Sequence, residues 1–310
     1  MEGVMMRNAD GYGLAVRRAD GTIVATRRAW VEILKSPWLR VRGLRGFPVL
    51  VETLYNGIGS LNRSVALAGE GEGEDLSRWQ TMLSMLLAVV MALALFVVTP
   101  HLLSVVMYWL SAGGDVDGLS FHLWDGFFKV CIFLGYIRLI SIVPEIRRVF
   151  RYHGAEHKTI HAFEKEDEVS AATAARMSRL HPRCGTTFLL FVISISIVLH
   201  AVLVPLGLWL YTPGNAVLKH ALTVAFKLLL IVPISALSYE VIRYAARLRG
   251  GLWAAALQSP GLALQRLTTA EPETPQLEVA VIALNEALDG GERDRVVTVP
   301  YVKQDETAIL

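Results

Sequence analysis

The stretch TTFLLFVISISIVLHAVLVPLGLWL, residues 186–210, contains no Asp, Glu, Lys or Arg. A helix of about 20 mostly apolar residues is long enough to cross the hydrocarbon core of a bilayer. Similar runs lie at residues 81–110, where Pro100 is expected to kink or tilt an over-long helix, and at 124–143 and 218–241. Four such runs are hard to bury in one soluble core, so the sequence predicts a mainly α-helical membrane protein with about four transmembrane helices.

Composition and cysteine content agree with this class. Of the 310 residues, 53% are apolar and 19% are charged, and the mean hydropathy is +0.44. The net charge of +2 gives no reason to expect a specific nucleic-acid partner. Cys131 and Cys184 are too few for a disulfide framework, and we expect both to be reduced thiols.

The distribution of basic residues predicts the orientation of the spans. Eleven Lys and Arg residues precede the first span and eight lie between residues 144 and 185. Residues 111–120 contain two aspartates and no basic residue, and residues 211–217 carry no charge. Because Lys and Arg are enriched in cytoplasmic loops, both termini and the 144–185 loop are expected to be cytoplasmic.

The segments outside the spans have their own patterns. Two alternating runs flank Ala19-Asp20-Gly21, which is typical of a β-hairpin. Residues 36–67 predict a helix that either lies at the membrane surface or docks as an ordinary helix. Residues 259–275 have the Pro and Gly content of a loop, 276–288 have helical spacing that predicts an amphipathic helix packed on the N-terminal unit, and 290–310 are expected to be a ragged end.

These patterns divide the chain into five predicted segments. They are a cytoplasmic N-terminal β-unit with a surface helix and a linker (1–80), transmembrane helices 1 and 2 (81–143), a cytoplasmic histidine-rich loop (144–185), transmembrane helices 3 and 4 (186–242), and a cytoplasmic C-terminal loop with its amphipathic helix (243–310).

The stretch YHGAEHKTIH, residues 152–161, suggests chemistry. On a helix, His153, His157 and His161 share one face because they are four residues apart. Two histidines at this spacing can chelate one divalent ion, and Glu156 beside them can activate a metal-bound water. The string from His153 to His157 also matches the inverted zincin pattern H-x-x-E-H. Twenty residues later, His181 and Cys184 have the short spacing of a second ligand pair, and zinc accepts both imidazole and thiolate.

Three interpretations of these residues remain open. In the first, the histidines are interfacial polar residues or bind anionic headgroups with the help of nearby arginines. Alternatively, His153, His157, His181 and Cys184 form a closed structural metal site. In the third interpretation, three protein ligands leave a position for water, and Glu156 is the general base. Its ligands would be His153, His157 and one group among Cys184, His181, Glu164 and a distant carboxylate such as Glu240.

Polar residues inside the spans are weaker signals. Asp125 and Lys129 are four residues apart and are expected to pair. Lys227 and His200 lie deeper, where a buried pair or a snorkelling side chain is the default expectation. A proton or ion path through these residues is the alternative.

Several segments resemble the bacterial YqhQ-like family of polytopic membrane proteins: MEGVMMR, RRVFRYHGAEHKTIHAFE, HPRCGTTFLL, SYEVIRYAAR and PGLALQRLTTAEPE with QLEVA. The resemblance extends from Met1 to about Leu288. It implies a bacterial inner-membrane protein with a domain of unknown function, which is described as a predicted metal-dependent enzyme. The matching motif positions are His153, Glu156, His157, His161, His181, Arg183 and Cys184.

The sequence therefore predicts a zinc-dependent, peptidase-like hydrolase at the cytoplasmic face of the bacterial inner membrane. Glu156 would be its base, and Arg183 would stabilise developing negative charge. Manganese or iron would also accept histidine and carboxylate ligands. The alternative is a non-enzymatic assembly or scaffold factor with a structural metal, which binds a translocon, a ribosome or anionic lipid through its basic surfaces.

Overall fold

The computed structural model describes residues 2–9, 11–33, 37–69, 77–166, 168–248, 251–289 and 296–299. Most of them are helical, as predicted. The helices are α1 (Gly46–Ala68), α2 (Arg78–Leu93), α3 (Thr99–Trp109), α4 (Leu119–Ile140), α5 (Pro144–Lys165), α6 (Ala171–Ala175), α7 (Gly185–Leu210), α8 (Ala216–Leu229), α9 (Ile231–Ala245), α10 (Gly251–Thr268) and α11 (Thr274–Leu288). Most of the predicted acidic linker, residues 70–76, lies outside the described residues.

The N-terminal segment forms an antiparallel sheet. Its strands are β1 (Gly3–Arg7), β2 (Gly11–Arg17), β3 (Ile23–Ala29) and β4 (Val296–Val299), in the order β1-β2-β3-β4. The predicted hairpin is confirmed as β2–β3, and Asp20 Oδ1 accepts a 2.8 Å hydrogen bond from the Thr22 N–H in its turn. The prediction of a ragged end at 290–310 is wrong for residues 296–299. These four residues form β4 and pair with β3 along the edge that β2 does not occupy.

Helices cover both faces of the sheet. On one face, Val4, Met6 and Ala25 form a core with Tyr152 of α5 and with α11. On the other face, Leu14 and Val16 pack with Trp30 and with Leu67 of α1. The predicted amphipathic helix at 276–288 is therefore confirmed as α11, and it packs on the N-terminal unit as expected. Nearly all residues of strand β2 are buried, because both faces of the sheet are covered at this strand.

Three helical stretches are long and apolar enough to cross a membrane: Met82–Trp109, Gly185–Leu210 and Ala216–Ala245. A fourth is added if α4 and α5, bent by 99° at their junction, are counted as one span. Large apolar side chains are exposed on these helices, including Met91 (63%) and Trp209 (80%). Such surfaces are consistent with contact to lipid. In the first stretch, a π-helical turn at Ala94–Val98 lies just before Pro100. Beside it, Thr99 Oγ1 donates a hydrogen bond of 2.9 Å to the Ala94 carbonyl.

The prediction of a loop at 259–275 is wrong for residues 259–268, which belong to α10. Pro260 and Gly261, which favoured a loop, lie inside this helix. Gly261 is placed there by packing, because a Cβ atom at this position would overlap the Thr187 side chain of α7. The close approach of α10 to α7 therefore explains Gly261, which the sequence pattern assigned to a loop.

A buried charged cluster connects α3, α4, α7 and α8. Asp125 accepts hydrogen bonds from Lys227 Nζ at 2.7 Å and from Lys129 Nζ at 3.3 Å, and its side chain is 1% exposed. Lys227 also contacts His101 Nδ1, and Lys129 contacts His200 Nδ1, each at 3.3 Å. The predicted Asp125–Lys129 pair is confirmed. Lys227, the closer partner of Asp125, could not be paired from sequence spacing because it lies 102 positions away.

This cluster gives a first prediction. Asp125→Asn leaves two buried ammonium groups without their shared carboxylate, so we expect it to lower the free energy of unfolding by about 3–5 kcal/mol. Thermal unfolding of detergent-purified protein measures the change. The control is Asp115→Asn, whose partially exposed carboxylate pairs with Lys219 and which should cost about 0–1 kcal/mol. Equal melting temperatures for the two variants would contradict the structural role of Asp125.

Candidate metal centre

The prediction of a helix through the histidine-rich segment is confirmed by α5. Pro144 occupies the first turn with Glu145, and Lys165 lies in the last turn, an arrangement that favours both helix ends. The buried face of α5 includes His157 and Gly154. Helix α5 thus presents its histidines to the chain that leads into α7, as their spacing predicted.

The histidines stand in a row with residues of the 181–184 segment. Ring centroids are 4.4 Å apart for His153 and His157, 5.8 Å for His157 and His181, and 4.5 Å for His181 and His161. Within the described residues, the ligand atoms form two groups of three, each with mutual distances under 4.8 Å. The first group is His153, His157 and Cys184, and the second is His161, Glu164 and His181.

Backbone carbonyls fix the ring protons of the first group. A carbonyl can only accept, so His153 Nδ1 donates to the Thr268 carbonyl at 2.9 Å and His157 Nδ1 donates to the Arg179 carbonyl at 2.6 Å. In each neutral ring the Nε2 atom is then left with a free lone pair. His153 Nε2 faces Cys184 Sγ at 3.2 Å. Metal-binding histidines usually donate their other ring N–H to such an acceptor, so this group has the form of a prepared metal site.

The second group has a different proton arrangement. His181 Nδ1 accepts the Arg183 N–H at 3.2 Å, so the proton of the neutral ring lies on Nε2, which is 3.5 Å from Glu164 Oε1. Burial and the neighbouring His161 lower the pKa of His181 to about 4, which favours this neutral ring. Within the described residues the His181 Nε2 atom makes no hydrogen bond, and Glu164 Oε1 lies close to it.

Glu156 and Arg183 border the same space. A polar cavity of about 480 Å³ is lined by His153, Glu156, His157, Arg183 and Cys184, among others. Glu156 has no hydrogen-bond or ion-pair partner among the residues that the structure describes, and burial raises its pKa, with His153 acting in the opposite direction. Arg183 is partially exposed and forms an ion pair with Glu164.

Helix α10 and the segment after it position the site, and sequence patterns missed this role. Gln265, which is fully buried, accepts the His181 N–H and donates to the His181 carbonyl, each at 2.8 Å. Arg179 donates to Thr269, and Lys158 pairs with Glu271. The loop interpretation of 259–275 concealed these contacts, because it gave residue 265 no helix from which to reach the 181–184 segment.

The backbone after α10 crosses α5 at Gly154. The Ala270 N–H donates to the Phe150 carbonyl at 2.9 Å, and a Cβ atom on residue 154 would overlap the Ala270 carbonyl oxygen. This contact holds the Thr268 carbonyl, the acceptor for His153, against α5. The glycine of the motif is thus required by a close approach of two backbones.

Glu240, considered as a distant ligand, has another partner. Its two carboxylate oxygens accept from Arg45 Nε at 2.7 Å and from the Arg45 terminal nitrogen at 2.8 Å. Glu240 is thus held in a bidentate ion pair with Arg45. This pair ties the segment before α1 to α9 and leaves Glu240 outside both histidine groups.

The architecture and site define a class: a helical protein with several helices apolar enough to span a membrane, a small sheet and a histidine-cysteine cluster between them. The chain belongs to the DUF1385 family of proteins of unknown function, whose model matches residues 43–290. It is 32% identical over 257 residues to the uncharacterized protein YqhQ of Bacillus subtilis (strain 168), an alignment that covers 79% of this chain and 76% of that protein. No solved structure matches the chain at a significant level. The resemblance to YqhQ-like proteins is confirmed, and neither description assigns an activity.

The crossing at Gly154 gives a second prediction. Gly154→Ala must displace Ala270 and with it the acceptor of His153, so we expect lower thermal stability and weaker metal binding, measured by unfolding and by zinc titration. Gly57→Ala in α1 is the matched control, since among the described residues nothing beyond its own helix lies within 4 Å of the added Cβ, and it should stabilise the helix by about 0.4–1 kcal/mol. A stabilised Gly154→Ala protein would contradict the close approach.

Proposed function

We propose that the chain is a zinc-dependent hydrolase of the bacterial inner membrane, with its site at the cytoplasmic face. The observation that carries this proposal is the convergence of His153, His157 and Cys184, with one ligand atom each within 4.8 Å. Tetrahedral zinc places its nitrogen and sulfur ligands roughly 3–4 Å apart, so a small adjustment would close the group around an ion. Two imidazoles and a thiolate are donors that suit zinc.

Three ligands favour a catalytic site over a closed structural one. The closed four-ligand site expected from the sequence needs His181, but the His181 Nε2 atom carries the proton in the tautomer described and lies 3.5 Å from Glu164 Oε1. A zinc ion held by His153, His157 and Cys184 would supply a bound water whose pKa is lowered towards neutrality. Glu156 borders the same cavity and is the residue that would accept the proton of that water. Arg183 would stabilise negative charge that develops on the substrate.

The location is supported by charge and by geometry. Residues 144–185 carry eight Lys and Arg, whereas residues 111–120 carry none, so the site belongs to the side expected to be cytoplasmic. If α4 crosses the bilayer, the 99° bend lays α5 nearly parallel to the membrane plane. The first half of α5 exposes Arg147, Arg148 and Val149, a mixture typical of the interface.

Metal content tests the proposal. Detergent-purified protein should contain about one zinc per chain by mass spectrometry, because three prepared ligands converge. We expect His157→Ala and Cys184→Ala to lose it. Glu156→Gln should retain it, as should His161→Ala, which removes a histidine of the same helix face that belongs to the second group. If His161→Ala lost its zinc and Cys184→Ala kept it, the metal would belong to the second group, and the proposed site would be overturned.

Activity separates the hydrolase from the scaffold alternative. With p-nitrophenyl butyrate as an acyl ester probe, Glu156→Gln should reduce kcat about 100-fold or more while zinc remains bound. The conservative change keeps the size of the side chain and removes only its function as a base. Full activity in Glu156→Gln, or zinc without any hydrolysis, would instead favour a structural metal in an assembly factor.

A further inference from the structure

We propose that the substrate of this site is a membrane amphiphile with one long hydrocarbon chain and an acyl ester at the end of that chain. The chain would occupy an apolar cavity that adjoins the histidine site, and the ester would lie beside Glu156. This inference rests on the proposed hydrolytic function and names its substrate class.

The apolar cavity has a volume of about 630 Å³ and lies between α4, α5, α7 and α10, with residues of the first span and of strand β1 completing its wall. Its walls are almost entirely carbon. They include Phe96 from the first span, Phe133 and Ile137 of α4, Val192 of α7 and Leu264 of α10. A methylene group occupies about the volume of a water molecule, roughly 30 Å³, so a 16-carbon chain needs roughly 500 Å³. The cavity can therefore hold one such chain.

The apolar and polar cavities meet at the proposed catalytic residues. His153, Glu156 and Thr186 line both of them. On one side of these residues the walls are mostly apolar side chains of the candidate spans, α4, α5, α10 and β1, and on the other side they include histidines, Cys184 and Arg183. A ligand that fills both cavities must change from hydrocarbon to polar groups at Glu156. The bond that joins the chain to its headgroup would lie at this boundary.

Energetics favour an amphiphile over a purely apolar ligand. A chain that moves from the bilayer into the cavity exchanges one hydrocarbon environment for another and gains little from the hydrophobic effect. Affinity must then come from the shape of the cavity and from the polar end. The polar cavity supplies Arg183, the histidine row and the metal-binding group. A water-soluble peptide would leave the apolar cavity unused.

The reaction is an ester hydrolysis. The oxygen of water forms a bond to the acyl carbonyl carbon, and the bond between that carbon and the headgroup oxygen breaks. Glu156 takes the proton of the water and passes it to the leaving oxygen. The products are a fatty acid and a free headgroup alcohol, and no electron acceptor or donor is needed.

Photolabelling tests the position of the chain without relying on turnover. The protein is reconstituted in phospholipid nanodiscs with a palmitic acid that carries a diazirine, and labelled peptides are mapped by mass spectrometry. Wild type should be labelled in α4 and α7 at the cavity wall. Val192→Trp fills the cavity and should reduce this labelling about tenfold. Val198→Trp is the matched control, the same change on an exposed position of α7, and should label like wild type.

Zinc is measured on the same samples, so the two proposals can fail separately. Equal labelling of the wild type and both variants would overturn the lipid cavity even if zinc is bound. Labelling that Val192→Trp abolishes, in protein without zinc, would support the lipid site and overturn the hydrolase. If Val192→Trp does not fold, Leu189→Trp at the half-exposed edge of the same wall makes the same test.

Discussion

The close backbone contact between Gly154 and Ala270 is the constraint on which the site depends. It brings the end of α10 across α5, where the Thr268 carbonyl can accept from His153 and where Lys158 reaches Glu271. A side chain at 154 would separate the two segments, and the sheet-covering helix α11 follows directly after the crossing. Because residue 154 has no Cβ atom, the histidine helix, the span bundle and the sheet can be connected through this close crossing.

The orientation of the ligands is set by backbone atoms of three separate segments. The carbonyls of Thr268 and Arg179 orient His153 and His157, and Cys184 precedes α7, where its sulfur accepts the Thr186 N–H at 3.4 Å. Each ring is thus held by an acceptor from outside α5, so the rings lose less freedom when a ligand binds than free side chains would. This kind of preorganisation is what distinguishes a binding site from a row of histidines on a helix surface.

Local periodicity predicted the elements well, and contacts distant in the chain explain what it missed. Helix α5, the histidine face, the β2–β3 hairpin and α11 all follow from spacing within one element. Helix α10 was missed because Pro260 and Gly261 are loop formers by propensity, whereas Gly261 lies in the helix where α10 packs closely on Thr187. Strand β4 and the Glu240–Arg45 pair depend on partners far away in sequence, and no local pattern contains that information. The metal, the reaction and the orientation in a membrane stay predictions.

The buried face of α4 shows why the charged cluster and the site are separate systems. Asp125, Lys129, Phe133 and Ile137 follow one another at four-residue spacing and are all buried. The first two belong to the charged cluster, and the last two line the apolar cavity next to α5. Along α4, Phe133 and Ile137 therefore lie between the charged pair and the junction with α5. One buried face of α4 thus carries both features, with the charged pair towards the start of the helix and the cavity-lining pair towards its junction with α5.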